Sequence, residues 1–394
     1  MTSLQSITGR TVLMRATSYS SGLQITKVTK VCHQRLSPAS RLVHTVGKSV
    51  DAPSLLMADS VSPEKYVQYS SMADNQNWGR IVTLRVPSKH DENKTLDFKV
   101  SVLDTYPDAD DRTRPTVVAV HGLPGGGIDF LSLASKLHAK GIRFVAPTSL
   151  GMVESPVELK YLDDVDFSTK GRTKVLRQLL QEMNIHNVDL FMGHSAGAWT
   201  LYEVGAYWSN FGALLFVNPG GASPNRGIRP YFLMQFMAFL LQWSLGRWLI
   251  LPVMEIGYKF QGFKEIFAGN GDHLVATQQY ISNVHFENVA KNAAAIQAKA
   301  VPIVVMYSLN DKLIEPKISA TLVNHLGIPE ANTVRFSADK LPDKDPFLVP
   351  EGWLCRCLIF ERGGHVAHLA HEEQLIDQID DLLNYAAAKK QNVL

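Results

Sequence analysis

Short, mostly apolar stretches alternate with helix-length segments along most of this chain. The first is Thr116–Val120, and similar stretches recur at 142–146, 188–192, 213–218, 301–307 and 357–361. Strands that are apolar on both faces lie inside a parallel sheet, with the intervening helices packed over it. Two stretches in which apolar and polar residues alternate, 79–87 and 95–107, precede them and indicate a half-exposed hairpin. The chain is therefore predicted to have an α/β fold: a mostly parallel eight-stranded sheet with helices on both faces.

One connection in this series is much longer than the others. About eighty residues separate the predicted sixth and seventh strands, whereas a crossover between parallel strands usually needs far fewer. This segment is rich in Phe, Leu, Met and Trp. We therefore predict a helical cap at 222–299, inserted between strands 6 and 7, that divides the core into residues 79–221 and 300–394.

Within the predicted cap, residues 231–250 contain a single charge, that of Arg247. A segment of this length and composition approaches that of a membrane-spanning helix. A single span does not fit the sheet, because it would place strands 6 and 7 on opposite sides of the bilayer. Gly246, Arg247 and Pro252 also interrupt the segment, so two shorter helices are predicted. Three roles remain open for their apolar side chains: a pocket for an acyl or aromatic group, packing alone, and contact with a membrane surface.

The first fifty residues differ in composition from the rest. They contain no Asp or Glu but carry four Arg and three Lys. An acid-free N-terminus that contains Arg and Ser is typical of a mitochondrial transit peptide. The alternative is a basic tail without a targeting signal, which would leave the protein in the cytoplasm. Residues 1–78 are interpreted as a leader and linker. The whole chain has 39 basic and 37 acidic residues, a balance that indicates no nucleic-acid partner.

The sequence Gly193-His194-Ser195-Ala196-Gly197 has the form G-x-S-x-G. It lies between the apolar stretch 188–192 and a helical stretch, 196–208, which is the context of a nucleophile elbow. Such a turn lifts the serine hydroxyl above the end of the sheet, where it is free to react. We therefore expect Ser195 to act as a nucleophile.

A serine hydroxyl needs a base to become an effective nucleophile. His365 is the best candidate, because it follows the last predicted strand and two glycines directly before it allow the loop to turn sharply. His368 and His371 are alternatives, but both fall within the helical segment that comes next.

The base in turn needs a carboxylate that orients its ring and balances the charge it acquires. Asp311 follows the strand predicted at 301–307, and the order Ser195, Asp311, His365 is the order in which nucleophile-elbow enzymes carry serine, acid and base. Glu315 is the alternative acid. The strand before that ends in the sequence NPGG at 218–221 and offers no carboxylate.

Attack on a carbonyl also requires two N–H groups that stabilise the oxyanion. One is expected from Ala196, directly after the nucleophile, and the other from Leu123 in the loop HGLPGGG at 121–127. Pro124 has no N–H and cannot serve. The same loop could in isolation bind phosphate, but it lacks the Gly-Lys-Ser/Thr ending of a P-loop. His121 is expected to shape the loop through packing and hydrogen bonding.

Four motifs together resemble the α/β-hydrolase superfamily over residues 79–389: HG-x-P at 121–124, GHSAG at 193–197, SLND at 308–311 and GGH at 363–365. The HG-x-P loop is similar to that of epoxide-hydrolase-like and haloperoxidase-like members. Members of the epoxide-hydrolase and dehalogenase type use an aspartate nucleophile, so a serine at this position argues against their chemistry. A looser resemblance to hydrolase-fold proteins of nematodes implies no particular substrate.

The motifs and the resemblance imply a serine hydrolase of the esterase or lipase kind that works through an acyl-enzyme. The apolar insertion favours a small-molecule substrate such as a lipid ester or an aryl ester. Thioesters, amides and activated carbon–carbon bonds stay open, as does transfer of the acyl group to an acceptor other than water. The alternative from another class is a hydrolase-fold protein that only binds a ligand or partner. No organic cofactor is implied and no metal, since the three cysteines have no spacing typical of a zinc site.

Overall fold

The computed structural model of the protein describes residues 76–107, 114–260, 271–337, 339–340, 342–344 and 354–391. The predicted leader lies outside these residues, apart from positions 76–78. In the described part of the chain, nine strands form a single sheet. They are β1 (Gly79–Pro87), β2 (Thr95–Asp104), β3 (Thr116–Val120), β4 (Arg143–Pro147), β5 (Val188–His194), β6 (Phe211–Val217), β7 (Ile303–Ser308), β8 (Thr333–Phe336) and β9 (Cys355–Phe360).

The strand order is β1-β2-β4-β3-β5-β6-β7-β9-β8. The pairs β1·β2 and β2·β4 are antiparallel, and the strands from β4 to β8 in this order run parallel to their neighbours. The predicted α/β fold with a mostly parallel sheet and a leading hairpin is therefore confirmed. The predicted count of eight is one too low, because β8 lies at the sheet edge as an additional parallel strand. Its four residues, TVRF, are too few and too mixed in polarity to stand out in the sequence.

Ten α-helices accompany the sheet in the described residues. They are α1 (Leu131–Ala139), α2 (Thr169–Glu182), α3 (Gly197–Tyr207), α4 (Tyr231–Leu240), α5 (Ser244–Phe260), α6 (Asp272–Ser282), α7 (Phe286–Ala298), α8 (Pro316–His325), α9 (Ala367–Ala370) and α10 (Glu372–Gln391). Val117 and Ala119 of β3 pack with the buried side chains of α1 and α10 on one face. Val118 and Val120 pack with those of α2, α3, α7 and α8 on the other. Alternate residues of a buried strand thus enter two apolar layers, as the period of a strand requires.

Helices α4 to α7 lie between β6 and β7, and we refer to them as the helical insertion. The apolar stretch at 231–250 is divided between two helices, α4 and α5, with the break at 241–243, before all three residues that interrupt the sequence. Gly246 and Pro252 both lie within α5. Among the described helices, none is both long enough and apolar enough to cross a membrane.

The parallel strands bring their carboxyl ends to one edge of the sheet. Among the segments that leave this edge are the loop after β3, the turn after β5, and the loops after β6, β7 and β9. Polar side chains on these segments are therefore brought together even though the chain between them is long.

Candidate active site

Ser195 occupies the turn between β5 and α3. Its φ angle is +53°, in the left-handed region that side-chain-bearing residues seldom adopt. The turn can close only because Gly197 has no side chain: a Cβ atom there would lie 2.1 Å from the carbonyl oxygen of Val120. The close approach of this turn to the end of β3 explains the second glycine of the G-x-S-x-G motif, and it presents the Ser195 hydroxyl at the sheet edge.

The structure brings Ser195, His365 and Asp311 together in a continuous hydrogen-bonded chain. His365 Nε2 lies 2.8 Å from Ser195 Oγ, and His365 Nδ1 lies 2.8 Å from Asp311 Oδ2. His365 is carried by the loop between β9 and α9, in which Gly363 and Gly364 both have positive φ angles. This is the geometry in which a ring nitrogen can accept a hydroxyl proton while the other nitrogen donates to a carboxylate.

The alternative histidines do not contact Ser195 through any hydrogen bond that the structure shows. His368 lies in α9, with its ring 4.3 Å from that of His194 and 5.6 Å from that of Phe130. His371 stacks on Phe360 at 3.9 Å and its Nε2 lies 2.5 Å from the carbonyl oxygen of Arg362. His368 is buried beside the loop, and His371 is half-buried at its base.

The Asp311 carboxylate is held from both of its oxygens. Oδ1 accepts hydrogen bonds from the N–H groups of Leu313 and Ile314 at 2.8 and 2.9 Å, and Oδ2 faces His365. Burial opposes ionisation of this carboxyl, but His365 and the two N–H groups outweigh it and lower its pKa below the usual value. Asp311 is therefore ionised at neutral pH, as a partner of an imidazolium must be.

Glu315, the alternative acid, has a different position. It accepts a hydrogen bond from the N–H of Arg226 at 2.8 Å and pairs with the guanidinium of Arg229. These two residues lie at the start of the segment that leads into the helical insertion. Glu315 thus connects that segment to the loop that carries Asp311.

Asn218 is the site residue that the sequence analysis missed. Its Nδ2 donates to Asp311 Oδ2 at 2.9 Å and to the carbonyl oxygen of Gly364 at 3.1 Å, while its Oδ1 accepts the N–H of Ala367 at 3.2 Å. The side chain is fully buried. Asn218 therefore joins the carboxylate to the chain on both sides of His365. The signal in the sequence is its position directly after a buried strand, at the edge where Ser195 and Asp311 also lie.

The loop after β3 packs directly against Ser195. A Cβ atom on Gly122 would lie 2.9 Å from the Cβ of Ser195. His121 shapes this loop: its Nε2 accepts the N–H of Ser149 at 2.9 Å, and its Nδ1–H donates to the carbonyl oxygen of Gly122 at 2.6 Å. Burial lowers the pKa of His121 to about 4, so the ring is neutral at physiological pH and can hold both bonds.

Two further buried histidines lie behind the site. His194 Nε2 donates to the carbonyl oxygen of His365 at 2.9 Å, and its ring contacts that of His368. Burial is the main cause that lowers the pKa of His368 to about 3 and that of His194 well below its usual value. We call His121, His194 and His368 the buried histidines; all three are neutral at physiological pH.

A cavity of about 250 Å³ opens beside Ser195. Leu123 and Ala196, the two residues expected to supply oxyanion N–H groups, line it together with Ser195. The helical insertion forms much of the remaining wall and contributes mainly apolar side chains: Met234, Met237, Val253, Met254, Tyr258 and Ile281. In the described residues, no group of three His, Cys, Asp or Glu side chains is arranged to hold a metal ion.

The chain is similar to known proteins at two levels, a family model and solved structures. The model of a family described as "Alpha/beta hydrolase of unknown function (DUF1057)" matches residues 80–337, a range that includes Ser195 and Asp311 and ends before His365. No sequence among curated proteins matches the chain.

Solved structures show the same architecture at low identity. A candidate lipase from Acinetobacter baumannii AYE is 17% identical, with 82% of this chain and 97% of that chain covered and a TM-score of 0.54. A thermophilic esterase from Thermogutta terrifontis is 14% identical, with 78% and 99% covered and a TM-score of 0.52. A membrane phospholipase A described as a bacterial virulence factor is 11% identical, with 82% and 92% covered and a TM-score of 0.52. At these identities the likeness concerns the fold alone.

Proposed function

This chain belongs to the α/β-hydrolase family whose model matches residues 80–337, and on that basis we propose that it is a serine hydrolase that cleaves carboxylic esters with a large apolar part. The observation that carries the proposal is the hydrogen-bonded chain from Ser195 through His365 to Asp311, with 2.8 Å at each step. An unactivated serine is a weak nucleophile, and a base within hydrogen-bond reach is what it needs.

The first half of the proposed reaction forms an acyl-enzyme. His365 Nε2 takes the proton of Ser195 as Oγ attacks the ester carbonyl carbon and the carbonyl electron pair moves onto oxygen. The N–H groups of Leu123 and Ala196 stabilise that oxyanion, a contribution of about 3 kcal/mol for each donor of this kind. When the tetrahedral intermediate collapses, the alkoxide leaves and receives the proton held on His365.

The second half releases the acid. A water molecule gives its proton to His365 Nε2 and attacks the acyl carbon, and the second intermediate collapses with Ser195 Oγ as the leaving group. The proton returns to Oγ, so the enzyme is restored. Asp311 stays ionised throughout and stabilises the imidazolium that forms twice in the cycle.

The cavity supports an apolar substrate. Methionine side chains dominate the wall contributed by α4 and α5, and thioethers are flexible enough to pack against chains of different shape. At about 250 Å³ the space is near the lower end of the range for small-molecule sites, roughly 300–1,000 Å³, and suits a medium acyl chain or an aromatic ring. Solved structures of this fold include proteins named as an esterase and a phospholipase A, which is consistent with an ester.

The test is a hydrolysis assay on the full chain with 4-nitrophenyl esters of increasing acyl length. We expect Ser195→Ala and His365→Ala to lose turnover of every ester, while wild-type protein prefers acyl chains longer than acetyl. Ser209→Ala and His90→Ala are matched controls, because both residues are exposed and remote from the site, and they should keep full activity. Retention of turnover by Ser195→Ala would contradict the proposal.

A further inference from the structure

The helical insertion exposes a large apolar surface. Among the described residues, fourteen large apolar side chains are exposed, and ten of them lie between residues 232 and 256. We call this set the apolar face: Phe232, Leu233, Phe236, Phe239, Trp243, Leu245, Trp248, Leu249, Val253 and Ile256. Trp243 and Trp248 are 62% and 73% exposed. The concentration of these side chains on two consecutive helices separates them from the scattered apolar residues that any protein surface carries.

The apolar face is not left over from packing of the core. The core contacts of this segment are made by other residues: Ala238, Leu241 and Met254 are buried. Helix α4 carries no charged residue, and a helix that is apolar on all sides is normally covered. The side chains of the apolar face together expose an area on the order of 1,000 Å². The largest apolar patch on the surface of a monomer is usually about 300–600 Å².

Charge around the apolar face indicates what covers it. No charged residue occurs from Pro230 to Gly246, whereas Arg226 and Arg229 precede this stretch and Arg247 follows it. Arg229 is paired with Glu315, and one acidic residue, Glu255, lies on α5 beside Ile256, so Arg226 and Arg247 supply the positive charge at the margin. Arg247 donates to the neutral oxygens of Leu241 and Ser244, so these contacts do not cancel its charge. An apolar surface with tryptophans at its centre and arginines at its margin complements the acyl region and the anionic headgroups of a bilayer.

The apolar face is continuous with the cavity beside Ser195. Val253 is 62% exposed and also lines that cavity. Met237 and Met254, on the same two helices, line it from within. The helices therefore separate the cavity from the apolar face by the thickness of their own side chains. An apolar ester that leaves a lipid phase at this face would meet the cavity without crossing bulk water.

We propose that the apolar face docks the protein on an anionic lipid bilayer, from which the site at Ser195 draws its apolar ester. Uptake of an ester from the bilayer rests on the proposed hydrolase function, whereas docking on the bilayer does not. A second copy of the chain is the competing occupant. Even the interfaces of homodimers are only about 65% apolar and carry polar groups that pair across them. Between the arginines this face offers mainly the amides of Gln235 and Gln242 and the hydroxyl of Ser244 as polar groups.

The experiment is flotation of the full chain with vesicles of phosphatidylcholine, with and without one third phosphatidylglycerol. Wild-type protein should float with both and more strongly with the anionic vesicles. The double substitution Trp243→Ser/Trp248→Ser should lower the vesicle-bound to free ratio by about tenfold or more, because two exposed indoles no longer enter the bilayer. Tyr207→Ser is the matched control, since Tyr207 is 69% exposed but lies outside the apolar face.

The outcomes separate docking from catalysis. Ser195→Ala should float like the wild type, and Trp243→Ser/Trp248→Ser should hydrolyse a soluble short-chain ester at the wild-type rate while losing activity on a vesicle-borne ester. Equal flotation of the double variant and the wild type would overturn the proposal. So would a wild-type dimer, seen by analytical ultracentrifugation, that the same double substitution dissociates. Normal flotation combined with full hydrolysis by Ser195→Ala would refute the proposed function and leave docking standing.

Discussion

Substitution of Asn218 by alanine should slow the proposed reaction through an effect on Asp311. The amide donates one hydrogen bond to Asp311 Oδ2 at 2.9 Å and another to the carbonyl oxygen of Gly364 at 3.1 Å. Without it, the carboxylate keeps its two backbone donors and His365 but can rotate about them, and the loop that carries His365 loses a contact. Asn218 touches no reacting atom, so we regard it as a positioning residue.

The magnitude follows from the bonds that are lost. A hydrogen bond to an ionised group contributes roughly 1.5–3 kcal/mol. Three of the four partners of the Asp311 carboxylate remain, so the lower half of that range applies. We expect a loss of about 2 kcal/mol in transition-state stabilisation, which is about thirtyfold in kcat/KM. KM for a soluble ester should change little, because Asn218 does not line the cavity.

The assay is steady-state hydrolysis of a soluble 4-nitrophenyl ester by wild type, Asn218→Ala, Asp311→Asn and the double variant. If Asn218 acts mainly through Asp311, adding Asn218→Ala to Asp311→Asn should cost only a few-fold, because only its contacts with Gly364 and Ala367 are then lost. Asn332→Ala is the matched control: its amide also caps a backbone carbonyl, that of Cys355 at 2.9 Å, but far from the site. A thirtyfold loss in both backgrounds, or no loss in either, would refute the reasoning.

Three further predictions concern stability and substrate access. Unfolding should take up about two protons near pH 5.5, because the three buried histidines bind protons mainly when unfolded, whereas Asp129, whose pKa burial raises to about 7, releases one. Burial also lowers the pKa of His273 and His371, which adds to this uptake. The free energy of unfolding should therefore fall by at least about 2 kcal/mol per pH unit as the pH drops from about 6 toward 4.5, measured by urea titration at several pH values. A flat profile would contradict this. Gly197→Ala should lower kcat by about a hundredfold, since the new Cβ must displace the Ser195 turn from β3. Gly257→Ala should leave thermal stability unchanged or raised, because no atom lies within 4 Å of the new Cβ. Glu315→Ala should raise KM for long-chain esters several-fold and leave short-chain turnover unchanged, because the substitution removes a bond to the segment that leads into the helical insertion. Equal effects on both esters would contradict a role of Glu315 in holding this segment.

The sequence was sufficient to predict the parts of the fold and site that depend on local pattern. Apolar runs identify buried strands regardless of what lies between them, so the parallel sheet and its leading hairpin could be predicted. Ser195 and His365 are marked by glycines within two residues, since sharp turns that present a side chain require them. Asp311 follows from its place after a strand in the order of the chain.

The features that could not be predicted depend on contacts between distant segments. Asn218 gains its role only when β6, β7 and the loop after β9 are packed together, and asparagine after a strand is otherwise an ordinary turn residue. Strand β8 is recognisable only by its pairing with β9. Whether the apolar side chains of α4 and α5 face the cavity, the core or solvent depends on how the helices are placed, and the structure shows all three.

The most direct test of the central claim is to locate a covalent adduct. The full chain would be treated with a fluorophosphonate, digested, and analysed by peptide mass spectrometry beside His365→Ala. We expect one adduct, on Ser195, at full stoichiometry in the wild type, and almost none in His365→Ala because the nucleophile then lacks its base. Modification of a different serine, or equal labelling of Ser195 without His365, would contradict it.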